Sequence, residues 1–389
     1  MNKKTKSLSC RTALFALGLG ALPLLAGCQS ANMAAPRPAM QTAKLLVQLP
    51  DFCPTPDGMA IAPDGDLVVA CPNYADQSQK ACLVKISRDN QVRKWVEVPP
   101  LAETGLACPM GIAFGPDGDV YICDNQGWKG DPKGQSKGRL LRLRIRNDRV
   151  ESCIVVAEGM EHPNGVRVHG GFLYVTESLM PKVKVASGLC VSSVYRFRLD
   201  DKNVKVSNTL EDRNVIATFL TENKFCQYGA DGIVFDSKGN LFVGNFGDGK
   251  IYKITFDSAG RVTGNTVFAR TDHDYTLDPK LSDFLAKATR AKMRTTDGMC
   301  VDSRDNIYVA DFSNNAIVKV TPAGEIFVVA RNGDTNGQDG GLNEPGEPIV
   351  WNGKLVVSNF DAVFGPGHHD KVNTQHDMPA TMSVLELLK

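Results

Sequence analysis

Six positions in the sequence could bring oxygen-bearing side chains together and bind a cation. They recur at intervals of 50 to 67 residues, each before a short apolar stretch, and we call them the ring residues. The ring residues are Asp57, Met110, Asn164, Asp231, Asp297 and Glu347. Carboxylates that converge without a counter-ion repel one another and are costly to bury. The set therefore predicts one divalent ion, Ca²⁺ first, with Mg²⁺, Mn²⁺ or Zn²⁺ as alternatives.

A second set of residues stands at the end of the next apolar strand in each unit. We call these the exit residues: Cys71, Asp124, Glu177, Asn245, Asp311 and Asn359. The first strand of a unit begins at the ring residue and the second runs back antiparallel to it, so both sets share one face of the fold. The exit residues are therefore predicted to be channel or supporting groups, together with Asp57, Met110 and Asp297.

The stretch from Gly229 to Asp257 shows which elements position these side chains. Its three short strands are separated by turns rich in Asp, Asn and Gly, a pattern typical of an antiparallel meander. Five further stretches repeat it around the other ring residues, and units of this length are too small to fold as separate domains. The sequence therefore predicts an all-β fold, a six-bladed β-propeller around a channel.

Both ends of the chain contribute to the last blade of this prediction. Residues 43–49 form an apolar strand before the first repeat, and residues 382–388 form another after the last repeat. The last repeat lacks an outer strand, so the N-terminal strand is predicted to supply it and to close the ring. Residues 43–389 would then form a single propeller domain.

Turn formation offers a purely structural explanation of the ring residues. Asp-Gly favours turns, and an Asp can cap backbone amides at the start of each blade. This explanation does not account for Asn164 and Glu347, which occupy the same register in different local contexts.

Three ring residues resemble the metal ligands of the family of senescence marker protein, gluconolactonase and luciferin-regenerating enzyme. Glu347 stands in Glu-Pro-Ile-Val-Trp, Asn164 in Pro-Asn-Gly and Asp231 in Ala-Asp-Gly. The resemblance implies a six-bladed propeller with one divalent metal held by Glu347, Asn164 and Asp231. The family's Glu comes in the first blade and Glu347 in the last, but a closed ring keeps the three ligands in the same relative blades.

One departure from this family concerns the substrate. The family's lactonases carry a substrate-binding Arg-x-Asn-Asp-Gly stretch where this chain has Ala107-Cys108-Pro109-Met110-Gly111. The sugar lactone of the family therefore cannot be carried over to this chain.

The predicted activity is hydrolysis of a small-molecule lactone or related ester. The ion would polarise the carbonyl, and Asp231 would serve as a ligand and as general base for the attacking water. No Gly-x-Ser-x-Gly motif is present, which argues against a serine esterase. Two alternatives share the architecture: a propeller that only binds a ligand or partner around a structural ion, and a strictosidine-synthase-like or arylesterase-like enzyme.

The first 27 residues predict a secretory signal. A lysine-rich start and an apolar core precede Leu25-Ala26-Gly27-Cys28, which resembles the lipobox of bacterial lipoproteins. The resemblance implies cleavage before Cys28 and acylation of its thiol. With Gln29 next in the chain, it also implies a lipid anchor in the outer membrane on the periplasmic side. Residues 28–42 would form a flexible tether.

The eleven cysteines of an exported chain predict disulfides. Cys71 and Cys82 stand at facing strand ends and form the best local pair, Cys53 with Cys108 is a further candidate, and the remaining pairings stay open. The formal net charge is +1 and the mature chain has no block of basic residues, so the sequence gives no indication of nucleic-acid binding. A closed propeller also predicts a monomer.

Three insertions interrupt the repeats, at residues 127–138, 272–293 and 362–379. The second predicts a helix over Leu281 to Lys292. The third contains His368, His369 and His376, for which a solvated loop and a metal site are both open. Long loops on a propeller face often act as lids.

Overall fold

The computed structural model describes residues 39–127, 133–224, 226–270, 293–333, 335–361 and 377–388. Within these ranges the regular secondary structure is β, apart from a 3₁₀ turn at Phe312–Asn314. Pro38 to Lys389 forms one compact unit. Among the helices of the described residues, none has the length and apolar character needed to span a membrane. The predicted signal peptide and Cys28 lie outside the described residues.

The strands form six sheets, each built on four antiparallel strands, and one of them has a short fifth strand at its edge. Blade 1 contains β2 (Met59–Ile61), β3 (Leu67–Cys71), β4 (Cys82–Ile86) and β5 (Val92–Glu97). Blade 2 contains β6 (Pro109–Phe114), β7 (Val120–Asp124), β8 (Gly138–Arg146) and β9 (Arg149–Met160). Blade 3 contains β10 (Pro163–His169), β11 (Phe172–Glu177), β12 (Cys190–Arg198) and β14 (Val215–Thr221), and the short β13 (Val204–Lys205) pairs in parallel with β9.

The second half of the chain repeats this arrangement. Blade 4 contains β15 (Ala230–Phe235), β16 (Leu241–Asn245), β17 (Lys250–Phe256) and β18 (Val262–Arg270). Blade 5 contains β19 (Met299–Val301), β20 (Ile307–Asp311), β21 (Ala316–Val320) and β22 (Ile326–Arg331). Blade 6 contains β23 (Pro345–Trp351), β24 (Lys354–Asn359), β25 (Thr381–Glu386) and β1 (Lys44–Gln48).

The N-terminal strand closes the last blade. β1 pairs antiparallel with β25, with Lys44 opposite Val384 and Gln48 opposite Thr381. This pairing gives blade 6 its fourth strand, so that it matches the other five. The predicted six-bladed propeller and its closure by the N-terminal strand are confirmed.

The second strand of each blade is buried on both faces. β3, β7, β16 and β20 contain no exposed residue, and their sequences are almost continuously apolar. Side chains of adjacent blades meet between the sheets: Val68 and Leu83 of blade 1 share one cluster with Ile122 of blade 2. Packing between blades is therefore the source of the core, which explains the apolar runs in these strands.

A glycine after five of the ring residues lets neighbouring inner strands approach closely. A Cβ at Gly111 would lie 2.5 Å from the carbonyl oxygen of Asn164, and one at Gly165 would lie 2.7 Å from that of Asp231. The corresponding distances are 2.3 Å from Gly58 to Met110, 2.2 Å from Gly232 to Asp297 and 2.7 Å from Gly298 to Gly346. Because no other residue tolerates such an approach, the repeated glycine sets the spacing of the blades around the channel.

Most exit residues hold the segment that leads into the first strand of their own blade. Asp124 accepts a hydrogen bond from the backbone N–H of Cys108 at 2.7 Å, two residues before Met110. Three other exit residues bind the N–H groups before their own ring residue in the same way, namely Glu177, Asp311 and Asn359. A buried carboxylate or amide thus replaces a backbone partner at the start of blades 2, 3, 5 and 6.

Blade 1 makes this connection with a disulfide. Cys71 bonds to Cys53, which lies in the segment before Asp57, over a Cα–Cα distance of 5.8 Å. The predicted Cys71–Cys82 disulfide is therefore wrong, and so is the candidate Cys53–Cys108 disulfide, because Cys53 and Cys71 are bonded to each other. Cys82 does lie opposite Cys71 in the register of β3 and β4, but it is a buried free thiol. Cys53 takes the position opposite an exit residue that backbone N–H groups occupy in blades 2, 3, 5 and 6.

Several predictions concern segments that are not described. The predicted helix over 281–292 and the residues His368, His369, Asp370 and His376 all lie outside the described residues. Asp377 is described, and its backbone N–H donates to the Asp361 carboxylate at 2.9 Å.

Candidate functional site in the propeller channel

The ring residues meet at one mouth of the channel. Each stands at, or one or two residues from, the start of the innermost strand of its blade. Five of them are at most 7 % exposed, and Asp297 is partly buried. The contacts of the ring glycines show that the backbones of successive ring residues touch around the channel. The structure therefore brings together all six residues that the sequence singled out as a ring.

The carboxyl groups of the ring influence one another strongly. Burial, and then the charge of Glu347, raises the pKa of Asp57 to about 8. Burial and the neighbouring carboxylates also raise the pKa of Asp231 and of Asp297 well above the usual range. Asp231 and Asp297 share a side-chain hydrogen bond. Four carboxyl groups in this space cannot all be ionised unless a cation compensates them.

Asn164 is oriented by a tyrosine from the next blade. The Tyr228 hydroxyl forms side-chain hydrogen bonds with Asn164 and Ser178. Tyr228 precedes β15, so its side chain connects the start of blade 4 with the ring residue of blade 3. Its pKa is raised, first by burial and then by the charge of Asp231.

Arg167 is a channel residue that the sequence reasoning missed. It lies on β10 in blade 3, and its guanidinium donates to Glu347 Oε1 in blade 6 at 2.5 Å and to the Met299 carbonyl in blade 5 at 2.9 Å. Its side chain therefore crosses the channel. The signal was a charged residue on an innermost strand, three residues after Asn164, where the other blades place Ala, Val or Cys.

The second oxygen of Glu347 also has a partner within the protein. Glu347 Oε2 accepts a hydrogen bond from the backbone N–H of Met59 at 2.6 Å. Both oxygens of the predicted ligand are thus held in place, one by a cation and one by an amide. Each carboxylate oxygen has two lone pairs, so these bonds orient Glu347 without exhausting its capacity to accept.

The donor set fits a hard divalent cation by its chemistry. Oxygens of Asp, Glu and Asn are what Ca²⁺ and Mg²⁺ bind. Asp57 Oδ2 is buried without a hydrogen-bond partner in the described ranges, which leaves one ring oxygen without compensation. No group of three or more His, Cys, Asp and Glu in the described residues is arranged to hold a metal ion as it stands. The predicted ligands Glu347, Asn164 and Asp231 are two carboxylates and one amide. Such a set falls outside groups of three His, Cys, Asp or Glu, so it is compatible with this finding.

The exit residues lie behind the ring. Their contacts go to the segments before the ring residues and, for Asp124, to the guanidinium of Arg139 at 2.5 Å. Asn245 bonds with Thr221 Oγ1 at 3.2 Å and accepts from the N–H of Asp248. They support the ring from the second strand of each blade.

The fold and the acidic channel mouth define a six-bladed propeller with a candidate cation site. Residues 111–274 match the SMP-30/Gluconolactonase/LRE-like region. The match confirms the resemblance over that part of the chain and contains Asn164 and Asp231. Glu347 lies beyond it. No curated protein matches the chain significantly.

Solved structures with similar folds include enzymes and a calcium-binding protein. A gluconolactonase from Xanthomonas campestris is 12% identical, with a TM-score of 0.52 over 90% of this chain and 96% of that chain. The calcium-binding protein regucalcin from Agrobacterium tumefaciens is 12% identical, with a TM-score of 0.52 over 89% of this chain and 93% of that chain.

A third structure has a different activity. The PQQ-bound aldose sugar dehydrogenase from Streptomyces coelicolor is 15% identical, with a TM-score of 0.56 over 90% of this chain and 99% of that chain. At these identities the likeness shows the fold alone, and one architecture serves several chemistries. The function must therefore be argued from the channel.

Proposed function

We propose that the protein is a metal-dependent hydrolase of a lactone or related ester, with water activated at a divalent ion in the channel. The observation that carries this proposal is the convergence of Asp57, Asp231, Asp297 and Glu347 at one mouth of the channel. Such a group requires a cation to be ionised together. The family match, whose description includes gluconolactonase, supports the lactone as the class of substrate.

Glu347, Asn164 and Asp231 would hold the ion. When bound, it would supply Lewis-acid polarisation of the ester carbonyl. All three side chains have a partner that orients them: Arg167 for Glu347, Tyr228 for Asn164 and Asp297 for Asp231. Such partners fix the direction in which a ligand presents its oxygen.

Asp231 is the proposed general base. Its hydrogen bond with Asp297 makes the two carboxyl groups a pair that titrates as a unit. When the pair holds one proton, the proton stays on Asp297 and forms the hydrogen bond to Asp231, so Asp231 remains ionised and can accept a proton from the attacking water. A base in this position has both its orientation and its charge controlled by a neighbour.

The test follows proton release from aldono-, homoserine and aromatic lactones by the purified protein, with chelator and then with added Ca²⁺. We expect hydrolysis that calcium restores and that Asp231→Ala lowers by at least about 10²-fold, the range lost with a general base. Asp200→Ala, at an exposed carboxylate, is the control. Equal loss in both variants, or activity that survives in Asp231→Ala, would remove Asp231 from the mechanism.

A second candidate is a propeller that binds a ligand or partner around a structural ion. Arg167 favours this candidate, because it already provides a positive charge to Glu347 in the channel. Met110 also favours it, because a thioether replaces a polar ring residue. If calcium raises the melting temperature while no lactone turns over, the ion is structural and this candidate replaces the hydrolase.

We also propose that the protein is an exported lipoprotein anchored at Cys28. The lipobox-like Leu-Ala-Gly-Cys sequence supports this location. Labelled palmitate supplied to expressing bacteria should be incorporated into the wild-type chain and not into Cys28→Ser. Equal labelling of both chains would contradict the proposed anchor.

A further inference from the structure

An arc of aromatic rings surrounds the channel mouth beside the ring residues. Consecutive ring centroids lie 5.6, 5.7, 5.8, 6.0 and 5.9 Å apart. In this order the aromatic arc contains His162, Tyr228, Phe246, Phe312, Phe360 and Tyr74. The hydrogen bond between Tyr228 and Asn164 places the arc directly against the candidate metal ligands.

Blade 2 closes the gap in the arc with a thioether and an amide. The Tyr74 hydroxyl lies 3.2 Å from Met110 Sδ and donates to the backbone carbonyl of Asn125 at 3.4 Å. Met110 and Tyr74 belong to the same apolar cluster as Phe246, Phe312 and Phe360. The wall on which a polar ring residue would face a sugar is therefore apolar in this protein.

Two buried side chains on this side of the mouth have polar atoms without a hydrogen-bond partner among the described residues. Both amide atoms of the fully buried Asn125 and the Nδ1 atom of His162 lack a hydrogen bond within the described ranges. A Cβ at Gly127, two residues after Asn125, would lie 3.2 Å from His162 Nε2, so the segment that holds Asn125 lies against His162. Buried polar atoms without a partner are destabilising, and a ligand group that binds them would remove this penalty.

We propose that the channel takes a planar aromatic ester or lactone rather than a sugar lactone, with Asn125 as the residue that determines polar specificity. This inference rests on the proposed function for its reacting group and names the class of substrate. A flat apolar body would pack within the aromatic arc, while the Asn125 amide would pair with a polar atom of the ligand. Sugar hydroxyls at the same place would lose their hydrogen bonds to water against Phe312, Phe360 and Met110.

The first test measures binding without turnover. Isothermal titration calorimetry of the purified protein, with and without chelator, compares 3,4-dihydroquinolin-2-one with D-gluconolactam. These are the lactams of an aromatic lactone and a sugar lactone, and neither is readily hydrolysed. We expect the aromatic lactam to bind at least about tenfold more tightly than gluconolactam. The hydroxyl groups of gluconolactam would be left without hydrogen-bond partners in an apolar site. Tighter binding of gluconolactam would overturn the inference.

Variants of the wall test which residues are responsible. Asn125→Ala should weaken binding of the aromatic lactam by roughly tenfold, the effect of one lost hydrogen bond. Met110→Asn should move the preference toward gluconolactam, whereas Leu210→Asn, at a residue 53% exposed, should leave it unchanged. Melting temperatures confirm that each variant is folded. Unchanged binding in Asn125→Ala would show that water satisfies the amide and would remove Asn125 from the proposal.

The turnover experiment separates this inference from the proposed function. Dihydrocoumarin, D-glucono-δ-lactone and a long-chain aliphatic lactone are compared under the same calcium-restored conditions. Preferred hydrolysis of either non-aromatic lactone would keep the hydrolase and overturn the aromatic substrate. Binding of the aromatic lactam without hydrolysis of any lactone would support the ligand class and overturn the hydrolase.

Discussion

The pair formed by Arg167 and Glu347 determines how the channel tolerates its acidic residues. The guanidinium reaches Glu347 from the opposite side of the ring and is 22% exposed, while Glu347 is 7% exposed. It compensates one of the four carboxyl groups and fixes the direction of a predicted metal ligand. The other three carboxyl groups, Asp57, Asp231 and Asp297, keep raised pKa values, so a bound cation would still stabilise their ionised forms.

Replacing Arg167 should therefore make stability depend on the cation. We expect Arg167→Met to destabilise the chelated protein by about 1–3 kcal/mol, because Glu347 loses a charge-assisted hydrogen bond in a largely buried position. Calcium should then raise the melting temperature more than it does in the wild type. Thermal unfolding with and without calcium measures both effects.

Arg198→Met is the matched control, because its partner Asp200 and the arginine itself are mostly exposed. Exposed ion pairs contribute little, so this variant should unfold like the wild type. An equal loss of stability in both variants, or no change in the calcium effect, would show that Arg167 does not compensate the ring.

The raised pKa of Asp57 predicts a pH effect on the chelated protein. Its folded pKa of about 8 exceeds the reference value of 3.8, so its contribution to stability is complete below about pH 4 and is lost as the pH rises through 8. The melting temperature of the wild type should fall between pH 6 and pH 9, and that of Asp57→Asn should fall by less over the same range. Added calcium should flatten the wild-type curve. Parallel curves for wild type and variant would be evidence against a shifted Asp57.

At the residue scale, the sequence predicted which side chains converge and missed how they are compensated. Ring position follows from the repeat, so Asp57, Asn164, Asp231 and Glu347 could be found by alignment of the units alone. Arg167 could not, because its contact depends on a side chain that crosses the channel from blade 3 to blade 6. Sequence periodicity places residues within a blade and says little about contacts through the axis.

At the element scale, the exit residues show how each blade holds its own beginning. A carboxylate or amide at the end of the second strand binds N–H groups just before the first, as Asp311 does with Arg294 and Thr295. In blade 1 the bond between Cys71 and Cys53 takes this role. The sequence placed Cys71 among the exit residues, but strand adjacency favoured Cys82 as its partner. The segment that precedes the blade proved to be the nearer partner.

This arrangement predicts which cysteine substitution is destabilising. Cys53→Ser should lower the free energy of unfolding by about 2–4 kcal/mol, the usual contribution of a disulfide, while the exposed Cys153→Ser should have little effect. Denaturant unfolding under non-reducing conditions compares the two variants. Peptide mapping should recover Cys53 joined to Cys71, and a peptide joining Cys71 to Cys82 would contradict the assignment.

At the scale of the whole molecule, the number of blades and the ring closure followed from the sequence because both are consequences of repetition. Six units give six sheets, and the incomplete last unit requires the strand at residues 44–48. The aromatic arc was not predicted from the sequence, although Phe246, Phe312 and Phe360 each directly follow an exit residue and so share one register of the repeat. The other three rings, His162, Tyr228 and Tyr74, stand at other positions in the connections between strands, and this part of the arc could not be found by aligning the units.

The glycine contacts predict that ring closure is sensitive to a single methyl group. A Cβ at Gly232 would lie 2.2 Å from the carbonyl oxygen of Asp297, and both partners are backbone atoms of innermost strands that cannot move independently. Gly232→Ala should therefore destabilise the protein by several kcal/mol, at the upper end of single substitutions. Gly333→Ala is the control, because no atom lies within 4 Å of its added Cβ. If the two variants have the same melting temperature, the inner strands have room to separate and the glycines do not set the blade spacing.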